Sequence, residues 1–235
     1  MHSANDNIYS IASVAVSSDG TWIVCSSLAD ESVWVWDTST DDVEPKELKG
    51  HSILASSVAV SSDGTQIVSG SFDKSVRVWD TFKGVELKKL KGHTDYVISV
   101  AFSSDNMQIV SGSYDQSVRV WDALTGVELK VLKGHTGYIS SVAFSNNGMQ
   151  IVSGSNDNSV RIWDVSSCEH LTTWNVADNN WIISSQGSDH LMWVPPEAVL
   201  LQGFNTLIIS HLGLSTVDFH QSMIGVDWVQ CYTPY

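Results

Sequence analysis

The sequence predicts an all-β fold of repeated four-stranded antiparallel sheets, and three observations support this prediction. A Trp-Asp dipeptide recurs at steps of 43, 42 and 42 residues. A Gly-His dipeptide recurs at the same period between those pairs. Each interval holds four short apolar segments separated by polar turns, without helical periodicity. The Trp-Asp pairs begin at Trp36, Trp79, Trp121 and Trp163, and the Gly-His pairs begin at Gly50, Gly92 and Gly134.

The third interval shows why each unit is expected to form four strands. Its apolar segments alternate with turns rich in Ser, Asp, Asn and Gly, residues that favour tight turns. The four predicted strands are residues 97–103, 107–113, 117–121 and 127–132. Such a sheet is apolar on both faces, so it needs a neighbouring sheet on each side. The inner units are near copies, since residues 56–93 match residues 98–135 at 28 of 38 positions.

A repeat of this length with these two dipeptides resembles the WD-repeat (WD40) β-propeller family. The resemblance covers residues 10–177 and implies a single propeller domain in which each repeat unit forms one blade. The four units are expected at residues 10–50, 51–92, 93–134 and 135–177. The near-identical repeats are similar to the WD-repeat arrays of fungal (basidiomycete) NACHT/WD-repeat proteins.

Residues 178–235 break the period and are predicted to form one irregular C-terminal blade followed by a tail. Four apolar segments supply its expected strands, and Pro195-Pro196 should end the second because proline cannot donate to a β-ladder. These segments are residues 181–184, 190–194, 206–210 and 215–219.

The number of units leaves ring closure open. Propellers have about four to eight blades, and five are expected here. The chain could close as a five-bladed ring, pair with a second copy or belong to a longer protein. An open ring would expose an apolar blade face. We therefore favour self-association slightly over a strained monomeric ring.

Composition restricts the classes of partner. A net charge of −14 argues against nucleic acid and against anionic membranes, because both attract basic proteins. No apolar run is long enough to span a membrane. The first residues lack the basic and apolar regions of a secretory leader, so none is expected unless the chain is a fragment. Three cysteines without metal spacing fit a reducing, cytoplasmic location. The histidines outside the Gly-His pairs lack ligand spacing, and no cofactor or metal is expected.

Ser, His and Asp recur in every regular unit except the first, which raises the question of a hydrolase triad. A catalytic site is built once, whereas this set is repeated with a tryptophan each time. The family resemblance implies instead a buried structural chain of hydrogen bonds from Trp to Ser to His to Asp, so no enzyme activity is expected. The three sets are Trp79, Ser69, His51 and Asp73; Trp121, Ser111, His93 and Asp115; and Trp163, Ser153, His135 and Asp157.

The partner-binding face is expected at the loops after each His and the turns before each structural Asp, as the family resemblance implies. Aromatic residues are frequent there and are favoured at protein interfaces. The residues flanking each Asp differ among near-identical units, which fits either recognition or drift at tolerant positions. A purely structural role, in which these side chains pad neighbouring loops, remains the alternative. The positions are Leu54, Phe72, Tyr96, Tyr114, Tyr138 and Asn156.

The sequence therefore predicts a non-enzymatic scaffold that presents this face to a protein or peptide partner. A finer hypothesis makes it the ligand-sensing array of a fungal NACHT-type receptor, or a freestanding relative. No phosphate-binding Gly-Lys-Ser/Thr loop occurs in the chain, so any NTPase would lie outside it. The alternative is a carbohydrate-binding propeller, because Trp, Tyr, Asn and Asp at loop tips can bind sugars.

Overall fold

The computed structural model describes the backbone of residues 11–27, 31–40, 44–165, 170–176, 181–184, 190–193, 199–203, 206–210 and 214–218. Side chains are described for the first three of these ranges. All regular structure in the described residues is β-strand, and every strand pairing is antiparallel. The predicted all-β class is thereby confirmed. No helix that could cross a membrane occurs in the described part of the chain.

The regular units form sheets in which strands pair in chain order. The first sheet contains β1 to β4, at Ile11–Val16, Trp22–Ser27, Val33–Asp37 and Lys46–Leu48. The second contains β5 to β8, at Ala55–Val60, Gln66–Ser71, Ser75–Asp80 and Glu86–Lys91. The third contains β9 to β12, at Val97–Phe102, Gln108–Ser113, Ser117–Asp122 and Glu128–Lys133. The fourth begins with β13 to β16, at Ile139–Phe144, Gln150–Ser155, Ser159–Asp164 and His170–Val176.

The aspartates of the first three Trp-Asp pairs accept backbone hydrogen bonds from the turns that lead into the fourth strands. The backbone N–H of Lys83 donates to the Asp80 carboxylate at 2.8 Å, and Gly84 donates to the Asp80 carbonyl at 2.9 Å. Gly84 has a φ of 68°, a conformation that glycine adopts without steric cost. The dipeptide thus places its tryptophan in the sheet and its aspartate at the strand end, where the carboxylate binds the turn.

Successive sheets pack face to face. We call the face turned toward the next sheet along the chain outgoing, and the face turned toward the preceding sheet incoming. One core joins the outgoing face of the second sheet (Val68, Val76, Val78 and Leu90) to the incoming face of the third (Val97, Val100, Phe102, Ile109 and Trp121). Equivalent cores join the first sheet to the second and the third to the fourth.

A repeated hydrogen bond accompanies these cores at all three junctions. A valine N–H in the first strand of one sheet donates to a serine hydroxyl in the first strand of the sheet before it. The pairs are Val58 to Ser13 at 3.2 Å, Val100 to Ser57 at 3.2 Å and Val142 to Ser99 at 3.1 Å. The first strands therefore lie side by side, and each junction has the same geometry.

The C-terminal strands are distributed differently from the prediction. β17 (Trp181–Ser184) and β18 (His190–Trp193) extend the fourth sheet to six strands instead of starting a new one. β19 (Val199–Gly203), β20 (Thr206–Ser210) and β21 (Leu214–Asp218) form a separate three-stranded sheet. The physical reason is that four residues separate β16 from β17, and a short connection favours an antiparallel hairpin with the preceding strand. The strand at 199–203 was not predicted, and the tail after Asp218 lies outside the described residues.

Candidate functional site

The three Trp-Ser-His-Asp sets each form a continuous chain of hydrogen bonds. In the third sheet, the indole N–H of Trp121 donates to Ser111 Oγ at 2.8 Å. His93 Nε2 lies 2.8 Å from the same Oγ, and His93 Nδ1 lies 2.8 Å from an Asp115 carboxylate oxygen. The second and fourth sheets repeat these distances to within 0.3 Å, at 2.8 to 3.1 Å.

The donors in this chain can be assigned because indole can only donate and carboxylate can only accept. Ser111 therefore accepts from Trp121 and uses its own hydrogen toward His93 Nε2. His93 Nδ1 then donates its hydrogen to the Asp115 carboxylate. Every polar group that links Trp121, Ser111, His93 and Asp115 thereby obtains a complementary partner, as buried polar groups require.

Each structural aspartate also forms hydrogen bonds with two serines that were not predicted from the sequence. Burial alone raises the pKa of Asp73, but hydrogen bonds from His51 and Ser75 outweigh it and hold this pKa far below its ordinary value. The N–H of Asp73 also donates to Ser71 Oγ at 3.0 Å. The signal that could have revealed these serines is the Ser-Gly-Ser-x-Asp-x-Ser pattern that three units share.

The buried position of these sets excludes catalysis by their serines. Ser69, Ser111 and Ser153 are 0% exposed, so no substrate can reach their hydroxyl oxygens. Each hydroxyl also accepts an indole N–H, which lowers its availability as a nucleophile. Burial lowers the pKa of His51 more than Asp73 raises it, which fits a neutral histidine at this position.

Arginine and glycine residues close the outer side of each set. Arg77 is 6% exposed, forms an ion pair with Glu86 and lies 3.7 Å from Asp73. A Cβ atom at Gly50 would lie 2.8 Å from an Arg77 guanidinium nitrogen and 3.0 Å from the Trp79 ring. The glycine of the Gly-His pair is therefore required by a close approach of side chains.

The first unit departs from this pattern. Cys25 occupies the position of Ser69, and Trp34 occupies the position of Arg77. Cys25 is buried, and among the described residues the indole nitrogen of Trp34 has no hydrogen-bond partner. The set is incomplete here, in keeping with the absence of a Gly-His pair before this unit.

The six residues expected on the loop face meet as three pairs. We define the loop face as the end of the sheets that carries the Gly-His loops and the turns at the structural aspartates. In each pair, the residue before the aspartate donates its backbone N–H to the carbonyl of a loop residue. The pairs are Phe72 to Leu54 at 3.0 Å, Tyr114 to Tyr96 at 2.8 Å and Asn156 to Tyr138 at 2.9 Å.

Four aromatic rings connect these pairs across sheets, and we call them the aromatic row: Phe72, Tyr96, Tyr114 and Tyr138. The ring centroids of Phe72 and Tyr96 are 4.6 Å apart at an interplanar angle of 13°. Tyr96 and Tyr114 are 5.8 Å apart, and Tyr114 and Tyr138 are 4.3 Å apart. These separations are in the range of attractive aromatic pairs.

The row is both packed and accessible. Tyr96 is 37% exposed and Tyr114 is 38% exposed, while Phe72 and Tyr138 are half-buried. Partial burial raises the pKa of Tyr114, and the nearby Tyr138 and Asp95 raise it further. The rings therefore support neighbouring loops and also present tyrosine edges to solvent, next to a carboxylate. The same residues can therefore pack against neighbouring loops and remain partly exposed for binding.

Comparison with protein families assigns the architecture. The family model described as "WD domain, G-beta repeat" (WD40) matches four stretches that together cover more than half of the chain. The matched stretches are residues 2–37, 43–80, 84–122 and 126–164. The chain belongs to the WD40-repeat family. Its four-stranded sheets are WD40 blades.

The WD40 repeat is offset from the blade by one strand. The stretch 84–122 contains the fourth strand of the second blade and the first three strands of the third. Each matched stretch ends on a Trp-Asp pair. Every inner repeat therefore contributes to two blades, which links neighbours covalently as well as through their cores.

One curated relative matches part of this WD40 array. The small ribosomal subunit protein RACK1 of Dictyostelium discoideum is 43% identical over 80 residues. The alignment covers 32% of this chain and 24% of the relative, so this chain spans about a quarter of that protein's length. The similarity therefore supports the WD-repeat architecture.

Proposed function

We propose that this WD40 protein is a non-enzymatic, cytoplasmic scaffold that binds a protein or peptide partner along the aromatic row. The observation that carries the proposal is the continuous contact of four rings across three blades, with Tyr96 and Tyr114 more than one-third exposed. Tyrosine supplies a large contact area with little loss of side-chain entropy. WD40 blades hold the row in one geometry, so binding requires little ordering of the scaffold.

Charge indicates the chemistry of the partner. The chain carries a net charge of −14, and Asp95 lies near Tyr114 on the loop face. Tyrosine ring faces attract arginine and lysine side chains, and a nearby carboxylate strengthens that attraction. We therefore favour a peptide segment that contains basic residues. Nucleic acid and anionic membranes remain disfavoured by the sign of the charge.

Selection from a random-peptide phage library tests this proposal. Enriched peptides should contain arginine or lysine, and their affinity should fall at least tenfold, about 1.4 kcal/mol, on Tyr114→Ala. Phe82→Ala is the matched control, because Phe82 is 59% exposed at the turn after β7, on the opposite rim. Peptides that bind both variants as well as the unaltered protein would place the site elsewhere.

Two finer assignments rest on the same surface and the same repeats. Carbohydrate binding is the alternative outcome, because sugars also stack on tyrosine, and a glycan array distinguishes it from peptide binding. A sensing array of a fungal NACHT-type receptor rests on the near-identity of the inner repeats. A full-length transcript that encodes a Gly-Lys-Ser/Thr phosphate loop beside these repeats would support that assignment.

A further inference from the structure

The incoming face of the first blade is exposed where the equivalent faces of later blades are buried. Val14 is 57% exposed, whereas Val58, Val100 and Val142 are 5%, 1% and 1% exposed. Ile23 is 37% exposed, whereas Ile67, Ile109 and Ile151 are 0% exposed. The first blade therefore presents the same apolar surface without the blade that covers it elsewhere.

This open face includes a cavity of apolar character. The cavity has a volume of about 280 Å³ and is lined by Ile11, Val14, Ile23, Cys25, Trp36 and Thr38. Trp36 is the tryptophan of the first Trp-Asp pair, and it is half-buried, whereas Trp79 and Trp121 are 1% exposed. Contiguous exposed apolar surface of this kind marks an association site.

The outgoing face of the fourth blade is also incompletely packed. Val160 and Ile162 are half-buried, whereas the equivalent Val118 and Val120 of the third blade are 0% and 1% exposed. Among the described residues, the glycine of the second strand shows the same difference. A Cβ at Gly112 would lie 2.5 Å from Ile139 of the following blade. At Gly154 the nearest described atom would be Ser140 Oγ, at 3.6 Å.

We propose that the open face of the first blade binds a second copy of this chain, which contributes the outgoing face of its fourth blade. The molecule already contains this interface three times, at the junctions between its own blades. The two ends of the regular array carry its two halves. In the contact between copies, Ser141 takes the position of Ser13, Ser57 and Ser99, and its hydroxyl accepts the N–H of Val14.

The placement of the C-terminal strands favours a second copy over closure within one chain. β19 approaches β13 of the fourth blade yet leaves Val160 and Ile162 only half-buried, whereas the close neighbours of β1 among the described strands are β2 and β5. Head-to-tail contact is heterologous, so it gives a closed ring only if the rotation closes. Two copies bring together eight regular blades, which is within the usual range of about four to eight.

Sedimentation velocity of the full chain over a wide concentration range tests the contact. The unaltered protein should show a species of twice the 25.7 kDa chain mass at high concentration. Val14→Asp should abolish that species. Val127→Asp is the matched control, because Val127 is 58% exposed on the third blade and the charge change is identical. A purely monomeric wild type, or a dimer that survives Val14→Asp, would overturn the proposal.

Mixing two variants tests which face the second copy contributes. Ile162→Asp should also abolish the dimer. If circular dichroism shows that this variant is unfolded, the Val160→Asp variant is used in its place. A mixture of the Val14→Asp and Ile162→Asp proteins retains one intact pair of faces and should form the dimer again. A mixture that stays monomeric, or an Ile162→Asp protein that dimerises alone, would refute head-to-tail contact.

Discussion

Tyr114 and Tyr138 are 24 residues apart in the chain and project from different blades, yet their ring centroids lie 4.3 Å apart. Tyr114 precedes the structural aspartate of the third blade, and Tyr138 follows the Gly-His pair that leads into the fourth. The buried sets beneath them fix both loops, because Asp115 and Asp157 each bind a histidine and a loop N–H. The polar frame thereby determines the geometry of the exposed row.

Removal of one histidine tests whether the buried Trp-Ser-His-Asp sets stabilise the protein. His93→Ala leaves Ser111 and Asp115 without a buried partner and should lower the free energy of unfolding by about 1–3 kcal/mol. Urea denaturation measures the change. Lys91→Ala, at an exposed position two residues earlier, should have little effect. Equal unfolding midpoints for the two variants would show that the histidine contributes nothing to the frame.

The aspartates predict an acid dependence of stability. The pKa of Asp115 is held well below its ordinary value, because hydrogen bonds from His93 and Ser117 outweigh the opposing effect of burial. A depressed folded-state pKa stabilises the protein above the unfolded pKa of about 3.9, and this stabilisation is lost as pH falls toward the folded-state value. Asp115→Asn should therefore weaken the loss of stability between about pH 5 and pH 2. Urea titrations that give the same pH slope for both proteins would contradict this assignment.

Two equivalent glycines give a matched test of blade packing. Gly112→Ala places a Cβ 2.5 Å from Ile139 of the next blade and should cost about 1–3 kcal/mol of stability. Gly154→Ala meets no described atom closer than 3.6 Å and should change stability by less than about 1 kcal/mol. Thermal unfolding compares the two. Equal losses would mean that the fourth blade is covered as tightly as the third.

The residue after each structural aspartate predicts an effect of backbone strain. Gln116 has a φ of 67°, and the equivalent Asn158 has a φ of 62°. Asparagine and glycine adopt this left-handed region more readily than glutamine. Gln116→Asn should therefore raise the free energy of unfolding by up to about 1 kcal/mol. The reciprocal Asn158→Gln should lower it, and opposite signs from those expected would contradict the strain argument.

The repeated part of the molecule was predictable because each unit specifies its own strands, turns and buried set. Near-identical copies of Ser111 and His93 occupy equivalent positions in the second and fourth blades, so one unit explains the others. The sheet membership of the C-terminal strands was not predictable in this way. Local β-propensity indicates a strand at 181–184 but does not determine which edge it pairs with.

The position of the loop face was predictable, but the contacts between its aromatic rings were not. The family resemblance implied which positions, after each histidine and before each aspartate, reach the face. The stacking of Phe72 on Tyr96 depends on the distance between neighbouring blades, and the sequence of one unit does not contain that distance. For the same reason, the exposed face at Val14 became visible only by comparison with Val58, Val100 and Val142 in the assembled array.

Photo-crosslinking locates the partner most directly. A benzoylphenylalanine residue at position 114 should capture a library-selected peptide, whereas the same group at position 82, on the opposite rim, should not. Mass spectrometry identifies the crosslinked residues. Capture from position 114 alone would support binding along the aromatic row. Capture from position 82 without capture from position 114 would contradict it.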